Sequence, residues 1–196
     1  MSHALRAINL GLFLLAAGQR LAAAQALPTR SLELRPSAFA GVTAVETGLN
    51  GGRNLSLTGG VDLGFLPGHT VQPALEYRGT FAIDKGRTDS QKNNLGGLKL
   101  STHVWRAHPY VNFLYGRCEI NYGAGFEVPG KPIYYTFSSS NVLSPGGGVD
   151  LDLNPFVALK LDIQLQRYNT PVSPTAPLYA TAATVAIEYR FHLGRR

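Results

Sequence analysis

The sequence predicts an all-β fold: an eight-stranded antiparallel up-and-down transmembrane β-barrel that follows a cleaved N-terminal signal peptide. Three observations carry that expectation. A short apolar run with a small-residue cleavage pattern opens the chain. From Asn54 onward apolar and polar residues alternate with the period of two of a strand. The connections between the alternating stretches are short and long in turn, as in a barrel with one loop-rich rim.

The opening run extends from Ala7 to Ala17 behind Arg6, broken only by Asn9. It is too short to span a bilayer as a helix, which takes about 20 residues. Ala22-Ala23-Ala24 and Ala24-Gln25-Ala26 both satisfy the small-x-small cleavage rule. The expected division is therefore a signal peptide at 1–26, cut after Ala24 or Ala26, and a barrel domain at 27–196. Loss of Arg6 and Arg20 leaves sixteen basic and twelve acidic residues, a net charge of +4 in place of +6.

Composition narrows the class further. Only 15% of residues are charged, against 22 glycines, nine tyrosines and nine phenylalanines, a balance that favours strands over helices. The basic residues are scattered rather than striped, so no nucleic-acid partner is expected. A single cysteine, Cys118, excludes an intramolecular disulfide and a multi-cysteine metal site. No histidine pair has helical zinc spacing, and no phosphate-binding glycine motif occurs. The expectation is no metal and no cofactor.

The strands follow in order. The first lies around Leu34–Val45 with its phase open: Ala38, Ala40, Val42 and Ala44 could face outward, or Phe39, Thr43 and Val45 could. Leu55, Leu57, Val61, Leu63 and Phe65 share one phase of the second, and Val71, Leu75, Tyr77, Phe81 and Ile83 one phase of the third. Leu98, Leu100, Thr102 and Val104 mark the fourth; Val111, Phe113 and Tyr115 mark the fifth. Val149, Leu151 and Leu153 belong to the sixth, Val157 through Leu165 to the seventh, and Val185 through Leu193 to the eighth.

Alternation alone fits a soluble barrel as well as a membrane one, because only the destination of the apolar face differs. Loop asymmetry favours the membrane. Leu66–His69, Trp105–His108 and Asn154–Phe156 read as tight turns, whereas Glu46–Arg53, Asp84–Gln91, Arg117–Leu143 and Asn169–Leu178 are longer. Aromatic residues gather near strand ends, with Phe65, Trp105, Phe156 and Phe191 by the turns and Phe81, Tyr115, Tyr168 and Tyr179 by the loops. Such girdles suit the two membrane interfaces.

With the apolar phase toward lipid, the other phase lines the lumen. It carries Asp62, Glu76, Asp150, Asp152, Asp162 and Glu188 opposite Arg78, Lys99, Lys160 and Arg190, with His103 nearby. Charges withdrawn from water must pair, so a structural ion-pair plug is the expected role; the alternative is a narrow gated ion path. Ser101 and His103 sit two apart with Glu76 on the neighbouring strand, a weak echo of a nucleophile–base pair, and no catalysis is expected from it. Tyr122, Phe126, Tyr134, Tyr135 and Phe137 crowd the longest connection. They form either an exposed binding surface or a strand extension that packs its own aromatics above the membrane.

The segment from Thr184 to Phe191 resembles the C-terminal recognition strand of outer-membrane proteins, with Tyr189 and Phe191 on the lipid phase. The mature length, with a mid-barrel strand from Pro109 to Gly116, resembles the OmpA-like family of small eight-stranded outer-membrane barrels. The resemblance implies residence in the outer membrane, contact with its lipid, and assembly by the outer-membrane insertion machinery guided by Tyr189 and Phe191. It brings no catalytic residue. The chain departs from that pattern in the five residues after Phe191 and in lacking OmpA's peptidoglycan-binding domain. The expected function is a monomeric, non-enzymatic barrel serving envelope structure or surface-loop interactions. The rivals are a narrow channel or small-solute transporter, and a secreted soluble barrel that binds an apolar ligand.

Overall fold

The computed structural model describes residues 34–49, 52–66, 68–84, 90–127, 132–172 and 177–191, with only the backbone of Ala124 and Phe126. The expected signal peptide at 1–26 and the residues after Phe191 lie outside the described residues. Eight strands run in chain order: β1 (Arg35–Glu46), β2 (Arg53–Gly64), β3 (Val71–Asp84), β4 (Ser90–Thr102), β5 (Ala107–Glu127), β6 (Tyr134–Asp152), β7 (Val157–Tyr168) and β8 (Leu178–Arg190). Each pairs antiparallel with the next, and β1 pairs with β8, so the sheet closes without an edge through most of its height. We call the rim of the 65–70, 103–106 and 153–156 turns the lower one, and the opposite rim the upper.

Side-chain polarity is inverted relative to a soluble protein. Leu57, Val61, Leu75, Tyr77, Leu98, Phe113, Ile163 and Ile187 point outward and are exposed, whereas Glu76, Arg78, Lys99, Lys160 and Asp162 are buried inside. The open phase of β1 is settled in the same sense: Ser37, Phe39, Thr43 and Val45 are buried in the lumen, and Ala40, Val42 and Ala44 face out. An isolated charge on the outer face would be costly in hydrocarbon. The outward charges of the strands stand instead toward the upper rim, where Glu46 faces Arg53 and Lys92 faces Glu119.

At that rim the pattern flips. On β5, outward Val111, Phe113 and Tyr115 give way to Arg117, Glu119 and Asn121, while inward Tyr110 and Asn112 give way to Leu114, Cys118, Ile120 and Tyr122. On β7 the outward series Ile163, Leu165 ends in Arg167, and the inward series Gln164, Gln166 ends in Tyr168. Below the flip the outside meets an apolar medium; above it the outside meets water and the inside becomes an ordinary apolar core.

The flip overturns part of the expected loop pattern. Within Arg117–Leu143, the stretches 117–127 and 134–143 are not loop but a paired extension of β5 and β6, in register from Arg117↔Asn141 to Asn121↔Phe137 and resuming at Phe126↔Tyr135 after an irregularity. The remaining connections at 47–52 and 85–89 are no longer than the lower turn at 65–70, so the asymmetry rests on the projecting hairpin and the 169–177 connection. Tyr168 likewise leaves the expected girdle, since its ring is buried within the barrel. Trp105, Phe156 and Phe191 do sit exposed at the lower rim, and Phe81, Tyr115 and Tyr179 at the upper one.

Candidate functional site: the lumen network and the upper hairpin

The lumen is built in tiers. The lowest closed tier joins Lys99 on β4 to Asp62 on β2 and Asp150 on β6, with Nζ donating to each carboxylate at 2.8 Å. Lys160 on β7 donates to the same Asp62 oxygen at 3.2 Å and lies 3.8 Å from Asp150. Both ammonium groups also stand over aromatic faces. Lys99 is 4.2 Å from the Tyr110 ring centroid and Lys160 is 4.4 Å from that of Phe39, contacts that help replace lost hydration.

The middle tier centres on Arg78. Its guanidinium grips Asp162 across the barrel at 2.6 and 3.2 Å and Glu76 on its own strand at 2.7 Å. Tyr110 donates to Asp162 at 2.8 Å, Asn112 to the second Glu76 oxygen at 3.0 Å, and Gln164 to Asn112 at 2.9 Å. A guanidinium presents donors in a planar fork that satisfies two carboxylates at once. Beside it a hydroxyl string, Thr184–Thr43–Thr58–Thr80, links β8, β1, β2 and β3 at 2.8, 2.5 and 3.0 Å.

Above these, Gln91, Asn93 and Gln166 bond to one another, and then the lining turns apolar. Leu95, Leu114, Cys118, Ile120, Tyr122, Val142, Tyr168 and Ala180 form a buried cluster. Leu49 from the 47–52 connection and Val172 from the 169–177 connection insert into it from above. The Tyr168 hydroxyl donates to the Thr47 carbonyl, and the Tyr122 hydroxyl shares a hydrogen bond with Thr170, which fastens both connections over the opening. Buried side chains line the interior from lower tier to upper rim, as the width of an eight-stranded barrel allows.

The structure brings most of the anticipated lumen residues together and separates one. Asp62, Glu76, Arg78, Lys99, Asp150, Lys160, Asp162 and Glu188 are all buried in the lumen. Asp152 and Arg190 pair at 2.6 Å at the half-buried lower mouth. His103 does not join them. β4 ends at Thr102, and the chain reverses through Val104 and Ala107, which exchange backbone hydrogen bonds at 2.8 and 3.0 Å. His103 is therefore exposed on a turn, its ring 4.7 Å from that of His108. The histidine that reaches an acid is His108, 2.9 Å from Asp152. Its inward phase on the fifth strand, two residues before Tyr110, was the available signal.

Ser101 donates to the Gln72 carbonyl at 3.3 Å and Glu76 is engaged by Arg78 and Asn112, so the Ser101–His103–Glu76 grouping is not assembled. Among the described residues no cluster of three or more His, Cys, Asp or Glu is placed to hold a metal ion.

The hairpin aromatics divide. Tyr134 and Phe137 are exposed, Tyr135 packs against the upper cluster, and Tyr122 is fully buried within it, which corrects its assignment to a binding surface. The Phe126 side chain is outside the described residues. Tyr189 faces outward and meets Phe191 edge-on at 5.0 Å.

A closed eight-stranded barrel with an apolar belt outside and paired charges inside has the construction of a small transmembrane β-barrel. Comparison with solved structures gives the same class, the small eight-stranded outer-membrane barrels. Neisserial surface protein A superposes with a TM-score of 0.51 at 14% identity, covering 80% of this chain and 95% of that one. Ail, the attachment invasion locus protein of Yersinia pestis, solved with the heparin analogue sucrose octasulfate, gives 0.50 at 11% identity, covering 81% and 99%. At such identity the likeness is one of fold. No family model matches the chain, and no curated protein matches it in sequence.

Proposed function

We propose that this chain is an exported, non-enzymatic outer-membrane barrel with a closed lumen, which contributes to envelope structure and presents the β5–β6 hairpin at the cell surface. The signal peptide at 1–26 directs export, with cleavage after Ala24 or Ala26. Tyr189 and Phe191 serve the insertion machinery as the C-terminal assembly signal, and the barrel stands as a monomer in the lipid.

The observation that supports a structural role over a channel is the filling of the lumen. Seven buried charged groups pair with one another across its lower half, Glu188 pairs with Arg190 at 3.5 Å, and an apolar cluster capped by Leu49 and Val172 occupies the upper rim. Parting Arg78 from Asp162 and Glu76 would strand charges away from water, at a cost of several kcal/mol. An open ion path would require that, together with wetting of the apolar cluster. The outward-facing apolar belt argues against the soluble alternative, because it would leave a large apolar surface in water.

Planar-bilayer recording of the refolded barrel tests the reading. Insertion with no steady unitary conductance is the expected result. Reproducible single-channel steps would replace the plug with a narrow channel.

A further inference from the structure

We propose that the open edge of β6 above the barrel, residues 134–141, docks an extended, uncharged stretch of a partner polypeptide by adding it to the sheet as one more strand. The proposal rests on the reading that the β5–β6 hairpin is presented at the surface, and it names the kind of partner that surface takes.

The edge follows from unequal strand ends. β6 begins at Tyr134, but its pairing with β7 begins only at Val142↔Tyr168. On the other side β5 holds it throughout, from Glu127↔Tyr134 to Arg117↔Asn141. The chain does not continue β7 upward. Thr170 is drawn inward to the Tyr122 hydroxyl, Pro171 has no N–H to give, and Val172 is buried in the upper cluster. Alternate residues of a strand turn their N–H and C=O groups to the same side, so this length of β6 leaves a row of them facing away from β5. Among the described residues no strand or turn bonds to that row.

An unpaired edge is a template for another strand, and proteins usually guard it with lysine, proline or an inward charge. Residues 134–141 read Tyr-Tyr-Thr-Phe-Ser-Ser-Ser-Asn and contain none of these. The irregularity in the β5–β6 pairing falls on β5, between Asn121 and Phe126, so β6 is unbroken along the edge.

A second copy in the same membrane does not fit that edge. Strands of such barrels lean roughly 35–45° from the membrane normal, so two copies related by rotation about it cross their edges at roughly 70–90°. A flexible, extended segment has no such constraint; main-chain bonds give it affinity and alternate side chains give selectivity. No residue of 134–141 carries a charge, so a charged strand gains no ion pair from it. Exposed Phe137 favours an aromatic or β-branched neighbour across the new ladder.

Fluorescence anisotropy of a labelled, end-blocked octapeptide alternating threonine with valine and tyrosine reads binding to the full mature barrel refolded in detergent. Heat-dependent gel mobility reports folding of every sample. Saturable one-to-one binding is expected. Methylating the backbone nitrogens of alternate residues leaves one edge of the peptide intact, so one of the two such forms should still bind. Methylating all of them should weaken binding about tenfold, the scale of one or two lost hydrogen bonds. Ser139 and Ser140 turn their N–H groups to opposite sides of β6, so one of Ser139→Pro and Ser140→Pro removes a donor from the open side and should weaken binding as much. No saturable binding, binding indifferent to full methylation and to both prolines, or tighter binding of a peptide with glutamate for threonine would overturn the proposal. Peptide-free barrel dimers that these prolines dissolve would overturn it in favour of a second copy. Surface presentation is read separately, by labelling Tyr134→Cys on whole cells with a membrane-impermeant maleimide; no labelling would overturn that reading instead.

Discussion

The Arg78 guanidinium on β3 spans the barrel to the Asp162 carboxylate on β7, at 2.6 and 3.2 Å, and so ties together strands separated by half the circumference. Replacement of Arg78 by Met leaves Asp162 and Glu76 buried without their cation. Loss of about 3–5 kcal/mol is expected, the scale for breaking a buried pair from one side. Combining Arg78→Met with Glu76→Gln and Asp162→Asn should recover much of the loss. Urea unfolding of the refolded barrel measures both; an additive triple variant would sink the idea of a mutually compensating network.

Gly60 lies where Phe39 needs room. A β-carbon there would stand 2.4 Å from both the Phe39 Cζ and the Tyr77 carbonyl oxygen. Gly60→Ala is expected to cost about 1–3 kcal/mol, as overpacking does. Adding Phe39→Ala should remove the ring clash and restore part of that cost, leaving the backbone contact. If the double variant is less stable than the sum of the two singles, the ring is not the main obstacle.

Trp105 is the sole tryptophan and stands 82% exposed on the lower 103–106 turn. An indole there belongs at the headgroup level. On insertion into vesicles its emission should shift to the blue, and lipids brominated near the headgroup should quench it more than lipids brominated deep in the chain. Unshifted, unquenched emission would place this rim in water and contradict the girdle.

Cys118 is fully buried in the upper cluster. A maleimide should leave the folded barrel unlabelled and react completely after denaturation. A Leu49→Ser change weakens the cap from above and should speed labelling of the folded form. Rapid labelling of the unaltered barrel would mean that the upper lumen is open to solvent.

The barrel was legible in the strands that keep one environment along their length. β3 and β8 cross from lower turn to upper rim with lipid on one side and the lumen on the other, so their alternation has a single phase, and β7 keeps one phase up to Gln166. The upper half of β5 was not legible because Tyr115 to Arg117 is the crossing from hydrocarbon to water. Apolar residues change sides there, and Cys118, Ile120 and Tyr122 read as a break in the pattern. The upper half of β4 failed for another reason: Gln91, Lys92, Asn93 and Asn94 are polar on both faces. β6 was obscured by Pro145, which still pairs with Phe113 on β5.

By itself the sequence determined the all-β class, the strand count and which charges share one face, because a period of two sorts the residues of a regularly alternating strand into two sides. It could not say which charges meet. Lys99 finds Asp62 and Asp150, and Arg78 finds Asp162, because barrel closure sets the stagger of eight strands at once, and that stagger is a property of the whole sheet. The same closure decided that His103 falls on a turn while His108 reaches Asp152, and that the aromatic connection is a hairpin. Local alternation fixes the face of a side chain; only the shared register fixes its height and its partner.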